Sequence, residues 1–354
     1  MKAPSWLALG VIALSVCSAV AQTSSNVSIF ATGFNDPRGL KWGPDGNLYV
    51  AEAGKGGLIS TAGQCLQVPT PPGPWTGGWN ARISKVTPDG TRSTVVDKLP
   101  SARAAIGDTL GVADVAFIGT QMFAVTAGGG CSHGHPGAPN SILKVNSDGT
   151  WSRLADLSAF QKLHPTKTIE PDDFEPDGTW YSLIAADGVL YAVEPNHGEV
   201  DVITTTGVVS RLIDLSETQG HVVPTSIART LKGFSVGNLG TFPIVPGSAA
   251  RYSVSTIGGV TQITPGLTTV VATVLKDNIL YVLELNDAPG FPSPGNGKVV
   301  RMIGTTITTI ATGLTVPTGM TLGPDGNLYV SNFGALPAPA AGQGLGQVVK
   351  ITLP

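Results

Sequence analysis

The sequence predicts an all-β protein: a six-bladed β-propeller in which the N-terminal strand closes the last blade. Three observations carry that expectation. First, the phrase ATGFNDPRGLKWGPDGNLYVAE, Ala31 to Glu52, returns near the end as ATGLTVPTGMTLGPDGNLYVSN, Ala311 to Asn332. A unit reused across a chain marks a repeat architecture, and in a ring its first and last copies become neighbours. Second, the Leu-Tyr-Val strand inside this phrase recurs in degenerate form, starting at Leu48, Met122, Leu190, Phe234, Leu280 and Leu328, which makes six copies. The later copies are 44 to 48 residues apart, the length of a four-stranded blade. Third, 46 glycines and 27 prolines accompany only 13% charged residues, a mix suited to short strands and tight turns.

Taken in order, residues 1–21 read as a secretory signal peptide. Lys2 precedes the apolar run Trp6 to Val16, and Ala19-Val20-Ala21 is a small-residue cleavage site. Residues 22–354 then form a single propeller, secreted or periplasmic, with no membrane span. Val27 to Thr32 is a strand without a blade of its own. It aligns with Ile307 to Thr312, the outer strand of the fifth blade, whereas the sixth blade ends at Val348 to Thr352 without an outer strand. The N-terminal strand is expected to fill that gap and leave few free edges.

In the repeated phrase of the first and last blades, Pro-x-Gly opens the innermost strand, Pro-Asp-Gly supplies a positive-φ turn, and the Leu-Tyr-Val strand returns. Two further strands follow, as in Arg82 to Val86 and Ser93 to Val96. The long early intervals hold insertions at Gly54 to Gly78, Gly128 to Asn140 and Leu154 to Thr179. Leu154, Leu157, Phe160 and Leu163 keep a helical period, so a short helix is expected there.

Without Lys2 the chain carries 20 basic and 24 acidic residues, and no basic footprint for nucleic acid emerges. H-E-x-x-H and P-loop motifs are absent from the sequence.

The repeated P-x-G…GPDGNLYVAE phrase, Ala51 to Gly57, Ala155 to Phe160, Val223 to Ser226 and Val316 to Gly319 together resemble the ScyD/ScyE family of secreted propellers. The resemblance spans nearly all of residues 22–354. It implies a propeller of unassigned activity, and the family's name comes from pigment biosynthesis genes. Glu175 to Ser182 departs from the family pattern. More distantly, the Pro-Asp-Gly-x-Leu-Tyr-Val phrase is similar to NHL-type repeats, gluconolactonase-like propellers and quinoprotein sugar dehydrogenases. That phrase marks a blade and not a reaction.

Candidate site residues follow from the geometry of a ring, whose blades converge on one channel. The residues that end the Leu-Tyr-Val strands are Glu52, Thr126, Glu194, Asn238, Glu284 and Asn332. Either they turn polar because strands end in solvent, or they form an oxygen ring for a polar ligand or a divalent cation such as calcium. In the second case Glu52, Glu194 and Glu284 are the metal ligands. Arg38, Tyr181, Thr225 and Thr318, at the starts of inner strands, would ring the channel mouth, with Arg38 as a clamp for carboxylate or phosphate. Cys65 and Cys131 either pair as a disulfide or join His133 and His135 around zinc or copper. The acids from Asp172 to Asp177 form either a solvated loop or a calcium site. His197 is the best lone general base. Two functions remain: a propeller binding a small molecule or protein partner at its channel face, or a metal-dependent lactonase of the gluconolactonase-like type.

Overall fold

A computed structural model describes residues 22–336 and 339–354. The expected signal peptide lies outside the described residues. The chain folds into six antiparallel sheets arranged as blades. Its first strand, β1 (Val27–Phe34), belongs to the last of them. Blade one comprises β2 (Pro37–Trp42), β3 (Leu48–Glu52), β4 (Thr76–Val86) and β5 (Arg92–Arg103), with a short edge strand, β6 (Thr109–Leu110). Blade two comprises β7 (Val112–Ile118), β8 (Gln121–Thr126), β9 (Ser141–Val145) and β10 (Trp151–Asp156). Blade three comprises β11 (Ser182–Ala186), β12 (Val189–Glu194), β13 (Glu199–Ile203) and β14 (Val209–Asp214).

Blade four comprises β15 (Pro224–Thr230), β16 (Gly233–Asn238), β17 (Ala249–Val254) and β18 (Val260–Leu267). Blade five comprises β19 (Val270–Lys276), β20 (Ile279–Glu284), β21 (Gly297–Ile303) and β22 (Thr306–Leu314). Blade six comprises β23 (Gly319–Leu322), β24 (Leu328–Asn332) and β25 (Gly346–Ile351). Strand β1 is its outer strand, pairing antiparallel with β25 from Val27 opposite Ile351 to Phe34 opposite Gly346. The ring is closed by hydrogen bonds between the two ends of the chain, as the sequence leads one to expect.

The alternation of each strand decides what it buries. Leu48, Val50, Leu190, Val282, Leu328 and Val330 are fully buried between blades, where one sheet face packs on the next. The Pro-x-Gly glycines are required by the crowding of the inner strands. An ideal Cβ on Gly39 would lie 2.0 Å from Asp114 Oδ1, and one on Gly319 would lie 2.5 Å from the Arg38 carbonyl oxygen. At the other end of the blade, Gly46 takes φ +76° in a turn that the Asp45 carboxylate holds through Asn47.

All inner strands start on one face, and the long connections gather there, while the Pro-Asp-Gly turns at 44–46, 88–90 and 324–326 occupy the opposite face. The first insertion differs from expectation. Strands β4 and β5 run beyond the blade, pairing Thr76 with Arg103, so the hairpin rises above the long-loop face. The expected short helix is present as α1 (Leu157–Leu163), capped by the Asp156 carboxylate accepting from Ala159 N at 2.9 Å.

Candidate functional site

The strand-end residues all act within their own blades. The Glu52 carboxylate is fully buried and accepts from Asn35 N at 2.7 Å, Arg82 Nε at 2.9 Å and Arg92 Nη2 at 3.0 Å, and also from Ser84 Oγ. Glu194 accepts from Thr179 N at 2.8 Å and His197 N at 2.6 Å. Glu284 accepts from Thr268 N at 3.1 Å and pairs with Lys298 at 3.1 Å. Asn332 Oδ1 accepts from Thr315 N at 2.7 Å, and Asn238 Nδ2 donates to the Val222 carbonyl at 2.8 Å. Five blades thus use one device: the polar residue ending the second strand anchors the backbone that enters the first strand. Thr126 is the exception, exchanging hydrogen bonds with the Ser141 backbone.

This corrects the expectation of a cation ring. Glu52, Glu194 and Glu284 are not brought together, and among the described residues no group of three acidic, histidine or cysteine side chains is gathered around a metal position. Their oxygens are already committed to cationic side chains and peptide N–H groups, so the donor set does not fit a divalent ion.

The inner-strand residues do meet at the channel mouth. The Tyr181 hydroxyl crosses from blade three to blade six and donates to the Thr318 carbonyl at 2.8 Å. Thr318 Oγ1 donates to the Pro37 carbonyl at 2.5 Å, and Thr225 Oγ1 donates to the Val270 carbonyl, so both hydroxyls stitch neighbouring blades. Arg38 Nη2 donates to the Thr109 carbonyl and pairs with Asp108 at 3.2 Å. Burial alone would lower the Arg38 pKa, but Asp108, Tyr181 and Asp36 around it hold it above its usual value. Burial pushes the Tyr181 phenol well above the ordinary tyrosine range.

Behind Tyr181 the channel narrows to a cavity of about 30 Å³ lined by Asp114, Ser182, Ser226, Thr273 and Lys41. That is room for about two waters and excludes an organic ligand. Asp114 is the channel carboxylate that sequence reasoning missed. It lies in the inner-strand position that glycine holds in blades one and six, and no Pro-x-Gly phrase marks blade two. Its oxygens accept from Val115 N at 2.8 Å and Leu183 N at 2.9 Å. Burial pushes its carboxyl up to about 6.

Cys65 and Cys131 form a disulfide with Cα atoms 6.3 Å apart, tying the blade-one insertion to the blade-two loop. The alternative joint metal site is thereby corrected, because both sulfurs are bonded to each other. His133 is buried with Nδ1 2.6 Å from the Gly129 carbonyl and Nε2 3.1 Å from Glu175. His135 Nε2 faces the Ser101 carbonyl at 3.0 Å.

The acidic loop is solvated only at its start, where Asp172 is exposed and the Asp173 side chain half-exposed. Glu175 and Asp177 are 5% and 3% exposed. Asp177 accepts from Ser132 N and Ser132 Oγ, each at 2.7 Å, and pairs with Lys162, while Asp173 pairs with His221 at 2.9 Å. A carbonyl oxygen only accepts, so His133 must carry its proton on Nδ1. The Nε2–Glu175 contact then needs a second proton on one side or the other. Burial acts to lower the His133 pKa, yet Glu175 beside it leaves the net shift upward. Burial raises Glu175 as well. His197, expected as a general base, is 5% exposed and packs on Phe174 beside Glu194.

These contacts define a closed six-bladed β-propeller whose long-loop face is braced by a disulfide and by acid–histidine pairs. Solved propellers of the same fold include a putative glucose dehydrogenase from Thermus thermophilus, with a TM-score of 0.59, 15% identity and coverage of 94% of this chain and 100% of that one. A gluconolactonase from Xanthomonas campestris has a TM-score of 0.56 and 11% identity, covering 93% and 89%. The calcium-binding protein regucalcin from Agrobacterium tumefaciens has a TM-score of 0.53 and 12% identity, covering 92% of each chain. At such identities the likeness shows the fold. No family model and no curated protein matches the sequence, so the ScyD/ScyE likeness stays a resemblance. No helix among the described residues is long and apolar enough to cross a membrane.

Proposed function

We propose that this propeller is an extracytoplasmic binding protein that takes a small polar ligand, or the polar end of a partner, on its long-loop face over the channel mouth. The observation that supports this reading is convergence. The risen hairpin of blade one, the disulfide-tied loops and the acidic loop all gather on the face where Arg38, Asp108 and Tyr181 meet. Tyr181 seals the channel below, which makes the mouth a floor rather than a passage. The Asp108 side chain is 45% exposed there as an acceptor and Arg38 beside it supplies charged donors, a pairing suited to a polyhydroxy ligand. The disulfide supports an oxidising compartment. Thermal-shift titration with gluconate and inorganic phosphate tests the assignment. A stabilising shift that is lost in Arg38→Met is expected; equal responses of the two proteins would remove Arg38 from the site.

The fold neighbours named as gluconolactonases favour a second reading, a metal-dependent lactonase, over a purely binding role. Under that reading a divalent ion would polarise the lactone carbonyl, but the three expected glutamates do not fit it. Glucono-δ-lactone hydrolysis followed by pH-stat, with and without added calcium or zinc, decides between the two. Calcium-stimulated turnover abolished by chelator would establish the lactonase. We expect none, together with a melting temperature indifferent to chelator.

A further inference from the structure

A groove of about 600 Å³ opens between blades one and two on the tight-turn face, opposite the long loops. Tyr49, Phe117, Met122 and Val95 line it, with Lys85 and Asp148 among the polar residues along it. Its volume lies within the range of small-molecule sites, roughly 300–1,000 Å³.

The repeat supplies an internal comparison, because the junction between blades six and one is built from the equivalent positions. There Phe30, Trp42 and Tyr329 fill the space, with Tyr329 edge-on to both partners at centroid distances of 5.0 and 5.1 Å. Lys350 pairs with Asp325 at 2.7 Å and lies over the Tyr329 ring. The registers align Phe30 with Val95: Ala31 pairs with Val348, and Val96 pairs with the equivalent Ile83. The turn glycines agree, since a Cβ on Gly90 or Gly149 would lie 2.5 Å from the carbonyl oxygen of Phe30 or Val95, respectively. By the same alignment Trp42 corresponds to Phe117, Tyr329 to Tyr49, Asp325 to Asp45 and Lys350 to Lys85.

Between blades one and two, therefore, an isopropyl group stands for a phenyl ring and a phenyl ring for an indole. The glycine contact places Leu154 and Leu212 at the next two junctions, so Val95 is the smallest filler of the four. Tyr49 and Phe117 still meet edge to face at 5.2 Å, which leaves aromatic surface uncovered in the groove. Lys85 is less tightly engaged than Lys350, acting on Asp45 through its charge without a direct contact. Asp45 is held by Asn47 and Tyr49, and among the described residues Lys85 makes no ion pair.

We propose that this groove binds an aromatic ring system carrying a neutral oxygen acceptor. The ring occupies the space that Phe30 and the Trp42 indole fill at the junction between blades six and one, and Lys85 donates to the oxygen. A neutral acceptor is favoured because the Asp45 and Asp148 carboxylates along the groove disfavour a further anion. This site is independent of the long-loop face.

The test uses 2-acetylnaphthalene as probe, with naphthylmethylammonium as the same ring bearing a cationic donor, both followed by ligand-observed NMR on the full chain. The ketone should bind the wild type at least about tenfold more tightly than the ammonium compound. Val95→Phe restores the ring found at the filled junction and should abolish ketone binding while melting at or above the wild-type temperature. Lys85→Met should weaken it by about tenfold, since one charge-assisted hydrogen bond is lost. Absence of ketone binding to the wild type, or binding that persists in a folded Val95→Phe, would overturn the proposal. Equal affinity for the two probes, or an unaltered Lys85→Met, would overturn the role of Lys85.

Discussion

Replacing Glu52 with alanine would leave Arg82 and Arg92 facing each other without the carboxylate that joins them, and would free the Asn35 N–H. Breaking a buried ion pair by removing one partner costs about 3–5 kcal/mol, and we expect a loss of that order in urea unfolding. Asp114 acts in the opposite sense. Its folded carboxyl is raised to about 6, so the unfolded chain releases that proton first as pH rises. Stability is full below the unfolded value and falls through the window from about pH 4 to pH 6, by about 3 kcal/mol for a shift of this size. Asp114→Asn should flatten that part of the stability–pH curve, as measured by chemical denaturation at intervals across the window. The positions of both residues were legible in different degree. Glu52 stood out in the repeat, but its partners lie on strands that sequence spacing does not aim. Asp114 gave no signal, because an aspartate after two apolar residues resembles any strand interruption.

At the level of elements, β1 decides whether the ring is closed. A chain lacking residues 22–34 would expose the outer edge of β25, and an unpaired strand edge recruits other chains. We expect such a chain to elute as oligomers or aggregate in size-exclusion chromatography, while the full chain keeps one discrete species. The disulfide holds the other long-range connection, between residues 66 positions apart. Substituting both cysteines with serine should lower stability by about 2–4 kcal/mol, read from unfolding midpoints under non-reducing conditions. The strands and turns of the regular blades could be read from the sequence because period-two alternation and Pro-Asp-Gly turns are local signals. The insertions could not. Glycine-rich segments such as Gly54 to Gly57 carry no periodicity, and the extension of β4 and β5 becomes visible only once Thr76 is found opposite Arg103.

Over the whole molecule, one repeated unit serves two ends. On the tight-turn face the six copies stay alike, and small differences in side-chain volume, such as Val95 for Phe30, become a groove. On the long-loop face the copies diverge, and their acids and histidines brace one another across blades two, three and four. By itself the sequence determined the number of blades, their order and the closure by the first strand, because those follow from local periodicity and repetition along the chain. Only the tertiary structure decided what the charged residues do. It turned the strand-end glutamates into blade anchors and the acidic loop into a partner for His133 and His221, and it placed Asp114 on the axis. The physical reason is burial. A carboxylate withdrawn from water must find donors, and which donors it meets depends on how the blades pack, which sequence spacing does not encode.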